Sequence, residues 1–373
     1  MHLPSRSRVT LTAATAACLV AGLLAGPASA TSPQAHTPGL DFLGEATIAA
    51  GATFQGTTVG GLSSMTYDEQ RDVYYAISDD QGGTFTSTST PARFYTLRVN
   101  VSDGSLDAGD VTVLDVTTLL GADGKPFPGR SLDPEGLTLT RDHTLIATSE
   151  GIPPTIAPFV REFDLSGHQL RELPVPGAFM PNAGGTHGVR FNLGFESAAV
   201  ARGGQFLFVG AENALAQDGP AASVTTGSPA RLLRYHDGQV DRQYVYETDP
   251  VVAPSSIFTV NGLVELLPLN NQFLLAMERS FSVGVGNDIR IYRVALPGAT
   301  DVNGVDDLHS VDPLRPAEKT LLLNLKGLGL TLDNLEGMTL GPRLPDGRQS
   351  LLLVSDNNFS PGQVSQFLLF ALD

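Results

Sequence analysis

The stretch Asp333-Asn334-Leu335-Glu336-Gly337-Met338-Thr339-Leu340 decides how the chain is read, together with the turn Leu344-Pro345-Asp346-Gly347 and the run Leu351-Leu352-Leu353-Val354-Ser355-Asp356-Asn357-Asn358. Two apolar runs of strand length flank a Pro/Asp/Gly turn, the pattern of a β-hairpin. An apolar core explains the Leu and Met positions but not the acid at each outer end, Glu336 and Asp356. The outer ends of a hairpin lie side by side, so both carboxylates are expected on one edge of a sheet.

Paler copies of this unit recur upstream, at Gly60–Asp80, Leu132–Gly151, Asn192–Asn213 and Asn261–Arg279, each followed by a further strand-like run. The acids that close the second strand of each copy are Asp79, Glu150, Glu212, Glu278 and Asp356, separated by 71, 62, 66 and 78 residues. A repeat of this length with three or four strands per unit points to radial repetition, an all-β β-propeller. Strand-like residues 42–54 and the Leu-rich run Thr320–Leu325 are left over from the five copies. They are expected to build a further blade, giving six, closed by the N- and C-terminal strands together.

The N-terminus reads as a processing signal. Arg6 and Arg8 precede an apolar run from Leu11 to Leu24, and Ala28-Ser29-Ala30 matches a small-residue cleavage site. Residues 1–30 are therefore expected to be a signal peptide, 31–41 a loose arm, and 42–373 the propeller of a secreted protein. The single cysteine, Cys18, would leave with the signal, so no disulfide is expected. The formal charge is −16 and no Lys/Arg-rich run occurs, which argues against nucleic acid as a partner. No membrane contact is expected after signal cleavage, and the expected state is a monomer. An acidic chain repels an anionic substrate unless a cation intervenes.

If the units are blades, the acids at their strand ends form a ring at one mouth of the central channel. The expected metal-ligating set is Asp79, Glu135, Glu150, Glu196, Glu212, Glu336 and Asp356. An oxygen-rich set of this kind suits Ca²⁺, with Mg²⁺ as the alternative. The scattered histidines and the lack of cysteine in the expected mature chain give no zinc pattern. Asn213, Asn334, Asn357 and Asn358 could add carbonyl ligands. Arg93, Arg231 and Arg279 lie near the acids at strand ends and are the candidates for binding an anionic substrate, against plain ion pairing. His187, in a Gly-rich loop, and Glu278 are the candidates for acid–base catalysis. Asp301–Asp307 resembles a calcium loop in composition only and reads as a solvated turn. No Gly-x-Ser-x-Gly elbow is present, so a serine esterase has little support.

Leu132-Asp133-Pro134-Glu135-Gly136-Leu137, Asn192-Leu193-Gly194-Phe195-Glu196, Asp333–Met338, Tyr75-Ala76-Ile77-Ser78-Asp79-Asp80 and Leu353–Phe359 together resemble the family described as esterase-like activity of phytase. The similarity spans about 42–372. The resemblance implies an exported bacterial propeller with a phytase-like or phosphoester-hydrolase activity on a small molecule. The chain departs from β-propeller phytases in having only three lysines, Lys125, Lys319 and Lys326, and no evident cationic phosphate cradle. Three readings stay open. One is a divalent-metal-dependent hydrolase of phosphate or other esters. The second is a metal-dependent hydrolase resembling the lactonase propellers. The third is a non-catalytic extracellular binding propeller.

Overall fold

The computed structural model describes residues 39–81, 90–201 and 203–373. The expected signal peptide and most of the expected arm lie outside the described residues. Five four-stranded antiparallel sheets follow one another in the chain. Blade I holds β4 (Leu62–Asp68), β5 (Val73–Ser78), β6 (Arg93–Val99) and β7 (Val111–Thr118), preceded by a small hairpin of β2 (Thr53–Phe54) and β3 (Thr57–Thr58). Blade II holds β8 (Pro134–Leu139), β9 (Leu145–Ser149), β10 (Phe159–Phe163) and β11 (Gln169–Leu173). Blade III holds β12 (Phe195–Val200), β13 (Phe206–Ala211), β14 (Pro229–His236) and β15 (Gln239–Glu247). Blade IV holds β16 (Thr259–Pro268), β17 (Phe273–Ser282), β18 (Gly286–Ala295) and β19 (Glu318–Asn324). Blade V holds β20 (Asn334–Arg343), β21 (Gln349–Asp356) and β22 (Ser365–Leu372), with β1 (Leu40–Ile48) as its outer strand.

The propeller therefore has five blades, not the expected six. The left-over segments supply outer strands instead of a blade of their own. Thr320–Leu325 contributes to β19, the outer strand of blade IV, and 42–48 falls in β1. The N-terminal strand closes the circle on the C-terminal one, in register from Leu40↔Leu372 to Ile48↔Ser365. β1 already begins at Leu40, inside the stretch expected to be a loose arm.

Each seam between neighbouring blades holds its own apolar cluster. Between blades I and II, Ile77 and Phe94 meet Leu137 and Phe163. Between II and III, Val160 meets Phe195 and Val209. Phe208 meets Leu263 and Leu274 between III and IV. Ile291 meets Leu353 and Phe370 between IV and V. Leu62 and Tyr95 meet Leu352 and Phe367 where V returns to I. Sheets covered on both faces explain why strands such as β5 and β9 are buried along their whole length instead of alternating. Radial packing leaves no blade with a free face, and it aims every inner strand at one axis. No helix among the described residues is long and apolar enough to cross a membrane.

Candidate metal and substrate site

The inner hairpin of every blade repeats one geometry. Its two strands pair as Leu62↔Ser78, Pro134↔Ser149, Phe195↔Ala211, Leu263↔Glu278 and Leu335↔Ser355. One step toward the channel mouth on the second strand stand Asp79, Glu150, Glu212, Arg279 and Asp356. In every blade a bulge also interrupts the inner strand just after the pair. A bulge inserts an extra residue and re-aims a side chain. The bulges carry Glu135, Glu196 and Glu336 in blades II, III and V, but Ser63 and Val264 in blades I and IV.

Most of the charged positions meet in one cavity of about 1260 Å³. Asp79, Asp133, Glu135, Glu196, Glu212, Glu336, Asp356 and Arg279 line it. Oxygens of Asp133, Glu135 and Glu150 lie within 4.8 Å of one another, as do those of Glu150, Glu196 and Glu212. All seven acids expected from the sequence as metal ligands are thus brought together. Glycine gives them room. Gly194 donates its N–H to Glu150 Oε1 (2.8 Å), and a Cβ on Gly262 would collide with the Glu212 carboxylate.

Among the described residues, one cation, Arg279, stands with the eight acids. Arg279 Nη2 reaches Glu336 Oε1 at 2.9 Å and Glu212 Oε1 at 3.7 Å. Asn334 Nδ2 donates to Glu336 Oε1 (2.9 Å) and Asp356 Oδ2 (3.4 Å), and the Asn358 N–H to Asp356 Oδ1 (2.6 Å). Beyond these contacts the ring is short of donors. Asp79 Oδ1, Glu150 Oε2 and Glu212 Oε1 are buried without a hydrogen-bond partner, and so is Arg279 Nε. Glu150 and Glu212 are each only 1% exposed. Burial pushes Glu150 and Asp356 up to about 8, Glu212 to about 7 and Asp133 to about 6. It raises Asp79, Glu135 and Glu196 well above the ordinary carboxylate range, with neighbouring carboxylates adding to the rise. Glu336 is raised less freely, because Arg279 beside it favours its charged form.

Asn213 also lines the cavity, but Glu278, Arg93, Arg231 and His187 lie elsewhere. Glu278 sits on the opposite face of β17 from Arg279. It accepts from the Tyr246 hydroxyl (2.6 Å), the Asp249 N–H (2.9 Å) and Asn261 Nδ2 (2.9 Å), and pairs with Lys319 (2.5 Å). Arg93 is buried on Asp80 (2.9 Å), the Tyr95 hydroxyl and the Thr58 carbonyl. Arg231 is buried on Asp218 and the carbonyls of Val305 and Asp306. Both tie loops to their blades and neither lines the cavity. His187 is held between the Met180 carbonyl and Asp306 (3.0 Å each), also outside it. Asn213 Oδ1 accepts from the Ala222 N–H, and Asn357 Oδ1 from the N–H groups of Gly61 and Phe359. Asp133 is the ring acid that sequence reasoning passed over. It stands two residues before Glu135, where the other blades carry Gly61, Gly194, Gly262 and Asn334. The departure from that small or amide residue was the signal available.

A five-bladed propeller with an acid-lined mouth defines the class. The chain belongs to the phytase-like family described as esterase-like activity of phytase, whose model matches residues 57–359. No curated protein matches the chain significantly. Among solved structures it is similar to a periplasmic gluconolactonase of Pseudomonas aeruginosa (13% identity, TM-score 0.37, 87% of this chain and 90% of that one). It is also similar to a Dyadobacter fermentans protein of unknown function (14%, 0.43, 90% and 100%) and to the PQQ-bound aldose sugar dehydrogenase of Streptomyces coelicolor (14%, 0.36, 88% and 84%). Likeness at these scores carries no functional argument.

Proposed function

We propose that the protein is an exported, divalent-metal-dependent hydrolase of small phosphate or other esters, acting at the acid ring. The observation that carries this reading is the pair of almost fully buried oxygens on Glu150 and Glu212 that accept no hydrogen bond, inside two three-carboxylate sets. A buried carboxylate oxygen without a hydrogen bond is costly, and eight clustered carboxylates beside Arg279 need further positive charge or protons. Hard oxygen donors from several directions suit Ca²⁺, which takes six to eight such ligands, or Mg²⁺ with waters. Asp133, Glu135 and Glu150 would hold one side of the ion, with Glu196 and Glu212 reachable from the shared Glu150. Bound there, the ion would supply Lewis-acid polarisation of a phosphoryl or acyl oxygen.

The chain's own residues do the rest. Arg279, with its Nε free, offers a fork to an anionic substrate oxygen. Ring carboxylates left outside the ligand set accept a proton from water aligned with the ester. Asn334 and the Asn358 N–H fix Glu336 and Asp356 in place. Export rests on Arg6, Arg8, the apolar run and Ala28-Ser29-Ala30.

The test is thermal unfolding of the protein without its first thirty residues in EDTA, then with Ca²⁺ or Mg²⁺ restored. A ligand that binds only the folded state raises its stability by mass action. The expected result is a reversible rise with one ion, accompanied by hydrolysis in an ester panel only when that ion is present. No shift with any divalent ion would sink the metal reading and leave a binding propeller.

A further inference from the structure

Blade IV differs from its neighbours in length as well as charge. In blades I, II, III and V the second strand stops at or one residue short of the ring position, at Ser78, Ser149, Ala211 and Asp356. In blade IV, β17 runs three residues past Arg279 to Ser282, paired to β16 throughout as Asn261↔Ser280, Val260↔Phe281 and Thr259↔Ser282. Side chains alternate along a strand, so Phe281 and Val260 continue the face on which Arg279 stands. Both line the cavity. Phe258 extends the same edge, its carbonyl accepting from the Val283 N–H, and its ring lies 6.4 Å from that of Phe281. Phe191, from the loop entering blade III, lines the cavity too.

These rings are not spent on the core. Phe191 is 69% exposed and Phe258 54%, beside Ile257 at 78%. Large exposed apolar groups gathered at the mouth of a polar cavity mark a binding surface more often than chance. The lining from blades V and I carries no aromatic ring and presents the amides Gln81, Asn358, Gln363 and Gln366 beside Leu332 and Val364. Apolar rings therefore gather on the blade III and IV side of a charged floor.

We infer that the site takes a substrate with an anionic or ester head and an aromatic, or similarly flat apolar, body. The head meets Arg279 and the acid ring, and the body rests on Phe281, Phe258 and Phe191. Arg279 and Phe281 are two residues apart on one strand face, about 7 Å. That separation matches a phosphate or carboxylate group joined to a single aromatic ring. A polyanion with no apolar surface would leave the lip uncovered. The inference rests on the acid-ring reading above, since an anionic head needs the cation as well as Arg279.

The test compares phenylphosphonate with methylphosphonate, neither of which has a hydrolysable ester, by calorimetric titration into the Ca²⁺-loaded protein. Wild type is expected to prefer the phenyl compound about tenfold, equivalent to 1.4 kcal/mol and in the range of one aromatic contact plus its burial. Phe258→Ala and Phe191→Ala, with folding confirmed by melting, should each cut that preference at least about threefold and leave methylphosphonate affinity within about twofold. Arg279→Gln should weaken both compounds. Methylphosphonate binding with no phenyl preference would overturn the lip while leaving the ring reading intact. A preference unmoved by either Phe variant would also overturn it. Failure of both compounds to bind to protein that Ca²⁺ does stabilise would overturn this inference alone, whereas the absence of any divalent-ion stabilisation would remove the ring reading and this inference together.

Discussion

Blade IV and the other four blades are built on the same register, yet they do opposite things at the ring. Four blades place a carboxylate at the end of the second strand, and three of them add a second acid at the bulge. Blade IV puts Arg279 and Val264 at those two positions, then carries its hairpin above the ring as an apolar wall. The difference teaches that repetition supplies the frame and the exception supplies direction. A ring of acids alone could hold a cation from any side. One blade that offers a guanidinium and phenyl rings gives the site an orientation for a substrate.

The largest expected effect comes from erasing the exception. Arg279→Glu would leave Glu212 and Glu336 buried without their cation and add another carboxylate. Denaturant titration in EDTA should show a loss of about 3–5 kcal/mol, largely recovered in Ca²⁺. An unchanged midpoint in EDTA would mean that the ring is solvated and that the blades do not differ electrostatically.

A second way to sharpen the comparison is pH. Glu150 ordinarily titrates near 4.5 and in the fold at about 8, and Glu212 moves from 4.5 to about 7. The folded state therefore binds more protons between those values, so stability of the metal-free protein falls as pH rises through that window. Melting in EDTA should drop from pH 5 to pH 8, and Ca²⁺ should flatten the slope. A rise across the same range would contradict the burial of these acids.

Glu278 and Glu150 separate structure from ligation. Glu278→Gln weakens the contacts with Lys319, Tyr246 and Asp249 and should cost about 1–3 kcal/mol while the Ca²⁺-induced shift in melting stays as in wild type. Glu150→Gln should instead weaken Ca²⁺ at least about tenfold, trimming the ion's stabilisation by about 1.4 kcal/mol. If both variants lost the shift equally, the two faces of the hairpin would not be independent. The smallest effect is expected at His187. Its ion pair with Asp306 is partly solvated, so His187→Ala should change stability by no more than about 1 kcal/mol and leave ester hydrolysis unaltered.

Much of this was legible beforehand. The hairpin 333–358 exposed the repeat and the motifs around Glu135, Glu196 and Glu336 marked the acids, but that these acids sit on bulges shows only in the strand pairing. Closure by the terminal strands followed from strand-like residues left over at the N-terminus. The blade count did not follow, because an outer strand and a strand of a new blade have the same local pattern. Only pairing assigns Glu318–Asn324 to blade IV and Leu40–Ile48 to blade V. Glu278 was taken over Arg279 because it is the acid in that copy, and neighbours in a strand cannot be told apart without knowing which face is inward. The aromatic lip was invisible for a related reason. Nothing local to Phe258 and Phe281 separates a lip from a core, and only the run of β16 and β17 past the ring does so.

The sequence by itself determined the unit, its repetition and the chemistry of its ends, since turn residues, apolar runs and acids are local properties of the chain. The tertiary structure decided how many units close the circle, which of two adjacent side chains faces the axis, and that eight carboxylates share one arginine. Blade closure and the sharing of one arginine are relations between distant residues, 57 apart for Arg279 and Glu336 and 332 apart for Leu40 and Leu372, set by strand register and radial packing, and no local pattern carries them.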